Sequence, residues 1–302
     1  MQRATEDNPQ SDTPKKANGR GQSVGLRWLT SLIAIPIVLL FVWFGGWWSF
    51  AGTAIVVVIA TLELHNMLHH SGYHFMTPVS LGLSILILIA AMFPRQQLLL
   101  LEIGFSASLL VSFPLLFFRE NLDGAIVDWS LTLVIAVYVG FPMSFFLLLR
   151  GYDASVWQGF SGVWVYLPRG VWWLLMVFLG VWGFDAAAFF TGRSLGRHKL
   201  APRISPGKTW EGVLGGFILS IAAALILTVK PLGVPWYLAI VLGILLGIAA
   251  VVGDLAESLI KRQMHVKDSG QFMPGHGGLL DRIDSLLFAV IVVYFFALCV
   301  GL

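Results

Sequence analysis

The chain alternates long apolar runs with short polar interruptions. From residue 26 onward nine apolar stretches reach or approach the roughly 18 residues needed to cross a bilayer as helix. They are 26–45, 48–66, 76–94, 97–118, 127–149, 170–191, 212–229, 236–253 and 285–302, the last four short or rich in glycine. None shows the short alternating segments of an outer-membrane barrel. The pattern predicts an all-α polytopic membrane protein with about nine transmembrane helices. Residues 1–24, MQRATEDNPQSDTPKKANGRGQSV, are polar and aperiodic and read as a disordered cytoplasmic tail. The long apolar run behind them, with no small-residue cleavage site, argues against a cleaved signal peptide.

Composition agrees. The 302 residues are 57% hydrophobic and 12% charged, where a soluble domain carries about 25% charged residues. Mean hydropathy is +0.83. The single cysteine, Cys299, excludes an intrachain disulfide and reads as a small hydrophobe in the last run.

The basic residues orient the chain. With the amino terminus in the cytoplasm, the inner segments carry Arg3, Lys15, Lys16, Arg20, Arg27, Arg119, Arg193, Arg197, Lys199, Arg203, Lys208, Lys261, Arg262, Lys267 and Arg282. The outer segments carry only Arg95, Arg150, Arg169 and Lys230. That bias satisfies the positive-inside rule. It also divides the chain into a tail at 1–24, an N-terminal bundle at 25–150 and a C-terminal region at 151–302. The two polar motif loops of the last region, 192–211 and 254–284, then face the cytoplasm together. A multi-pass cell (inner or plasma) membrane location is expected, with the lipid bilayer as partner and no nucleic acid.

Chemistry concentrates in those loops. On a helix, Asp254, Glu257, Ser258 and Lys261 stand at i, i+3, i+4 and i+7 and share one face. Asp281, Asp284 and Ser285 stand at i, i+3 and i+4 and do the same. Paired carboxylates with few thiols or imidazoles suit a hard cation, Mg²⁺ above all, held together with substrate phosphates. Asp185 lies within an apolar span, where carboxylates usually face the bundle interior and mark a functional site; an interhelical hydrogen bond or an arginine partner would also explain it. The run 192-GRSLGRHKLAPRISPGKTWEG-212 holds five basic residues, and its glycines and prolines forbid a continuous helix. Gly207-Lys208-Thr209 matches only the end of a P-loop, because Pro202 stands where that motif needs glycine. In 274-PGHGG-278, Gly277 and Gly278 allow close backbone approach to an anion. His276 suits phosphate donation, proton transfer or a structural turn. His65, His69, His70 and His74 read as a membrane-surface loop, and Glu102 has no assigned role.

The run 258-SLIKRQMHVKDSGQFMPGHGGLLDRID-284 closely resembles the signature of phosphatidate cytidylyltransferases, also called CDP-diacylglycerol synthases. Met273 replaces the usual Leu, Ile or Phe. The run 185-DAAAFFTGRSLGRHKLAPRISPGKTWEG-212 resembles the second block of that family, with Gly207 where a second Lys is common. The resemblance is sharp over about 180–302 and is hydropathy alone over 26–150. It implies condensation of CTP with phosphatidate to CDP-diacylglycerol and pyrophosphate for phospholipid biosynthesis. It also implies Mg²⁺ dependence, a second monovalent cation such as K⁺ beside it, and a homodimer. The residues then expected at the reacting phosphates are Asp254, Lys261, Lys267, Asp281, Arg282 and Asp284. Expected phosphate contacts are Arg193, Ser205, Lys208, Thr209, Ser258, Arg262, His276, Gly277 and Gly278. Asp254, Asp281 and Asp284 are the expected metal ligands, with Glu257 and Asp185 beside them. Two alternatives stand: another CTP- or nucleotide-dependent membrane lipid phosphotransferase, and an ion or lipid transporter. Transport predicts polar residues through the full membrane depth, whereas here they gather at one face.

Overall fold

A computed structural model of the chain describes residues 35–151, 167–270 and 277–301, together with positions 32 and 272. The tail at 1–24 and His276 lie outside the described residues. Among those described are nine helices: α1 (Ile35–Phe44), α2 (Gly46–His70), α3 (Thr77–Met92), α4 (Gln97–Phe117), α5 (Ala125–Arg150), α6 (Arg169–Leu195), α7 (Trp210–Leu232), α8 (Trp236–Gln263) and α9 (Leu280–Val300). Seven are long and apolar enough to cross a membrane; α1, over its described part, and α3 are shorter apolar helices. Turns of π-helix interrupt α5 at Ala136–Gly140 and α7 at Leu225–Val229.

Two expectations change. The segment 192–211 is not a plain loop. Helix α6 runs on to Leu195, and Lys199–Ala201 (β1) then pairs antiparallel with Ser205–Thr209 (β2). The all-α expectation therefore needs this one hairpin added. The segment 254–284 is helical at both ends: α8 continues ten residues past its apolar part to Gln263, and α9 starts at Leu280. Hydropathy marks where greasy sequence stops; intrahelical hydrogen bonding continues until a turn intervenes.

The helices bury a single large apolar core around Trp173, Met176, Leu242, Leu246 and Leu280. Their outward faces keep large exposed side chains such as Leu110, Ile218 and Ile226, which suit lipid contact. Helices α7 and α8 are joined in their apolar part by the Ser220 hydroxyl, which donates to the carbonyl of Gly243 at 2.9 Å.

The polar connections collect at one end. Asp128 of α5 is buried and pairs with Arg119 at 2.8 Å, while accepting the backbone N–H of His74 at 2.8 Å. This joins the α2–α3 and α4–α5 turns. Ser71 donates to the carbonyl of Met264 at 3.3 Å, which joins the first of those turns to the α8–α9 connection. At the other end Arg150 donates to the carbonyls of Val42 and Trp43 at 2.5 and 2.9 Å. Replacing Asp128 with Ala strips Arg119 and the His74 N–H of their buried, charged acceptor. We expect it to lower unfolding stability by about 1–3 kcal/mol, read as a reduced thermal midpoint of the detergent-solubilised protein.

Candidate active site

The site is built where α8 and α9 cross. Gly253 makes the crossing close: a Cβ there would lie 2.5 Å from the carbonyl oxygen of Asp284 and 3.0 Å from the Cα of Ser285. With no side chain in the way, the acidic faces of the two helices meet. Glu257 is fully buried, and Ser258, Lys261, Asp284 and Ser285 are each less than a tenth exposed.

Lys261 joins the two faces. Its ammonium pairs with Glu257 one turn back on α8 and with Asp281 Oδ1 on α9, the latter at 2.6 Å. Asp281 Oδ2 accepts the N–H of Gly278 at 2.9 Å and both the N–H and hydroxyl of Ser269 at 3.0 Å. The expected metal ligand Asp281 and the expected phosphate counter-ion Lys261 thus pair with each other in this geometry, and Asp281 also engages Ser269 and Gly278.

Asp254 and Asp284 are placed differently. Asp254 is half-buried; it accepts from the Ser258 hydroxyl at 3.2 Å and pairs with Lys208 Nζ at 2.6 Å. Asp284 accepts the N–H of Ser285 at 2.5 Å. Asp185 of α6 is exposed at its helix surface and lies within electrostatic reach of Asp254, Asp284, Lys208 and Arg282. One sequence-distant group joins them. Tyr138, on the π-turn of α5, lies within electrostatic reach of Glu257 and Asp284. Its buried hydroxyl, Ser285 Oγ and Glu257 Oε1 lack hydrogen-bond partners among the described residues. Nothing in the spacing around Tyr138 pointed to the site, because a π-turn shifts a helix face without a sequence signature.

The hairpin delivers Lys208. Thr209 caps α7, accepting the N–H of Gly212 at 3.2 Å. Glu211 holds the start of the hairpin by accepting the N–H of Arg197 at 3.1 Å and pairing with His198 Nδ1 at 2.6 Å. Arg262 donates to the carbonyls of Ile204 and Val266, each at 3.2 Å, and so ties the hairpin tip to the end of α8. Thr209 and Arg262, expected at phosphate, are thus engaged in structure. Arg193, Lys267 and Arg282 are exposed, and Ser205 is half-buried on β2. Gly277 adopts φ +86° and leads into the Gly278 N–H that meets Asp281.

The histidines close a turn. His65 meets Thr77 Oγ1 at 2.7 Å, and the His69 and His74 rings meet edge-on at 4.7 Å. Glu102 is exposed on α4. Among the described residues no three His, Cys, Asp or Glu side chains are arranged to hold a metal ion. A cation at Asp254 and Asp284 would therefore have at most two carboxylates and would need further oxygens from substrate, the habit of Mg²⁺. The electrostatics fit one. Five carboxylates (Asp185, Asp254, Glu257, Asp281 and Asp284) face Lys208, Lys261 and Arg282, leaving two excess negative charges when all are ionised.

The profile of the cytidylyltransferase family matches residues 25–300. The chain belongs to that family. It is 45% identical over 159 residues to the phosphatidate cytidylyltransferase of Brucella suis biovar 1 (strain 1330), covering 49% of this chain and 57% of that protein. It is 37% identical over 161 residues to the phosphatidate cytidylyltransferase of Bacillus subtilis (strain 168), covering 53% and 55%. The chain thus spans little more than half the length of these two relatives. It is 33% identical over 291 residues to the phosphatidate cytidylyltransferase of Synechocystis sp. (strain ATCC 27184 / PCC 6803 / Kazusa), covering 89% and 95%. In this member of the family, charge and burial converge where α8 and α9 cross.

Replacing Lys261 with Met leaves Glu257 and Asp281 facing each other without their cation. We expect a loss of about 3–5 kcal/mol, read by thermal unfolding in detergent. The Lys261→Met/Glu257→Leu double variant should lose less than the single one, because only one stranded carboxylate remains.

Proposed function

We propose that this chain transfers the cytidylyl group of CTP to phosphatidate, giving CDP-diacylglycerol and pyrophosphate for phospholipid biosynthesis. The observation that carries the reading is the 2.6 Å pair between Lys208 of the hairpin and Asp254 of α8. It joins the two motif-bearing segments into one charged surface at the end of a membrane bundle, where a soluble triphosphate and a lipid phosphate could meet. The names of the relatives support the same reaction.

In this reading a phosphate oxygen of phosphatidate attacks the α-phosphorus of CTP. The new P–O bond forms as the bond to the bridging α–β oxygen breaks, and that oxygen leaves with pyrophosphate. The attacking group is already an anion at neutral pH, so no protein nucleophile or general base is needed. The work left to the chain is positioning and charge neutralisation. Lys208, Arg193, Lys267 and Arg282 offset the phosphate charge, and the exposed position of the last three suits a mobile polyanion. Asp254 and Asp284 would hold Mg²⁺ with Asp185 close by, and the ion, when bound, polarises phosphoryl oxygens. Glu257, Lys261 and Asp281 keep the two helices in register beneath them. The unpartnered Ser285, Tyr138 and Glu257 oxygens offer neutral and anionic donors for a monovalent cation such as K⁺.

The proposal includes nine spans, a cytoplasmic amino terminus, a site that faces the cytoplasm and a homodimer. The crowding of basic residues on the end that carries α2–α3, α4–α5 and the two motif segments supports that orientation. The test is a purified, detergent-solubilised protein supplied with CTP, phosphatidate and Mg²⁺, with CDP-lipid and pyrophosphate measured. Formation of both in equal amounts is expected. Asp254→Asn and Asp284→Asn should each lower kcat by about 100-fold or more. Turnover of CTP without a CDP-lipid product would refute the reaction.

A further inference from the structure

Glu63 of α2 is a carboxylate inside a membrane-spanning helix, 5% exposed. Such a group is costly to bury unless polar partners replace its water. Its partners come from the far end of the chain. Oε1 accepts the backbone N–H of Leu279 at 2.8 Å, and Oε2 accepts that of Leu280 at 2.8 Å. The hydroxyl of Ser269 approaches Oε2 at 3.4 Å.

These donors are not arbitrary. Leu279 and Leu280 are the N-cap and first residue of α9, whose opening N–H groups have no acceptor within their own helix. The N-cap is a leucine, and no side chain of that segment caps the helix. An acid from another helix does so instead, placed where the helix dipole favours an anion. Two glycines give it room. A Cβ at Gly270 would lie 2.7 Å from Glu63 Oε1, and one at Gly278 would lie 2.7 Å from Oε2 and 2.0 Å from Ser269 Oγ.

The contact continues into the site. The Ser269 hydroxyl reaches Asp281 Oδ2 at 3.0 Å as well as Glu63, so one proton is shared between two carboxylates. Asp281 then meets Lys261, and Asp284 follows one turn along α9. Glu63 therefore fixes the height and rotation at which α9 begins.

We propose that Glu63 is a positioning residue for cytidylyl transfer: by capping α9 from the N-terminal bundle it sets where Asp281 and Asp284 stand against α8. The proposal rests on the reaction put forward above. It makes the N-terminal half part of the site, where the motifs alone place the site wholly in the C-terminal half.

The test uses the full chain in detergent, with CTP, phosphatidate and Mg²⁺. In Glu63→Gln one acceptor oxygen becomes an NH₂ donor facing a backbone N–H. We expect kcat to fall by about 10- to 100-fold, the range typical of supporting partners around a charged site. The KM for phosphatidate should stay within about twofold, as expected for loss of an interaction that matters in the transition state. Glu63→Asp, which keeps both oxygens, should recover part of the loss. Hydrogen–deuterium exchange at the Leu279 and Leu280 amides should quicken in Glu63→Gln. Ser269→Ala, which leaves the cap itself in place, gives a second route to the same network and should lower kcat less. Asp128→Asn is the control: it removes charge from another buried carboxylate of the N-terminal bundle and should lower the melting point while leaving kcat unchanged. A folded Glu63→Gln protein with kcat within about twofold of the parent overturns the proposal. So does an equal loss of kcat in Asp128→Asn, which would mean general softening. A parent protein that makes no CDP-lipid refutes the reaction itself, and the exchange rates still report separately whether Glu63 caps α9.

Discussion

A single buried ammonium organises the charged end of this protein. Lys261 sits between Glu257, one turn behind it on the same helix, and Asp281, at the first turn of the next membrane helix. Removing three ionised groups from water is expensive, and the mutual attraction offsets it only when geometry is good and the remaining lone pairs are satisfied. Asp281 meets that condition with three further donors from Ser269 and Gly278. Such an arrangement contributes little net stability compared with apolar packing. What it supplies is register: α8 and α9 have one relative position at which all these contacts close together.

The other features follow from that register. Gly253 lets the helices approach, and Asp254 and Asp284 are then brought to the same side of the crossing. The hairpin adds Lys208, held by the Thr209 cap on one side, Glu211 at its start and Arg262 at its tip. Each anchor engages a neutral backbone group or an opposite charge. Lys208 alone of the hairpin's basic residues is drawn into a short pair with a site carboxylate. The membrane-facing bulk of the chain needs none of this, since its backbone is satisfied within helices and its outer side chains are apolar.

Much of this was legible from spacing. The shared face of Asp254, Glu257, Ser258 and Lys261 depends only on helical period, and so does that of Asp281 and Asp284. The asymmetry of Lys and Arg likewise follows from a physical rule about bilayers. The partners were not legible. Glu63 and Leu280 are 217 residues apart, and no local pattern relates them. The hairpin was missed because its strands are short, and prolines and glycines within them mask any alternation. Thr209 and Arg262, expected at phosphate, also engage a helix end and backbone carbonyls, partners that residue type alone does not reveal.

Partners also divide the carboxylates. Glu257 and Asp281 share Lys261, which ties α8 to α9. Asp254, Asp284 and Asp185 share Lys208 and Arg282 less completely. The first group holds the two helices together; the second keeps more of its negative charge unmet. A site built from unpaired acids alone would repel itself apart, whereas one with every acid paired would have no reason to attract a cation. Burying one ion triad beneath a cluster that remains underneutralised meets both requirements. It explains why so much charge is concentrated where two greasy helices cross.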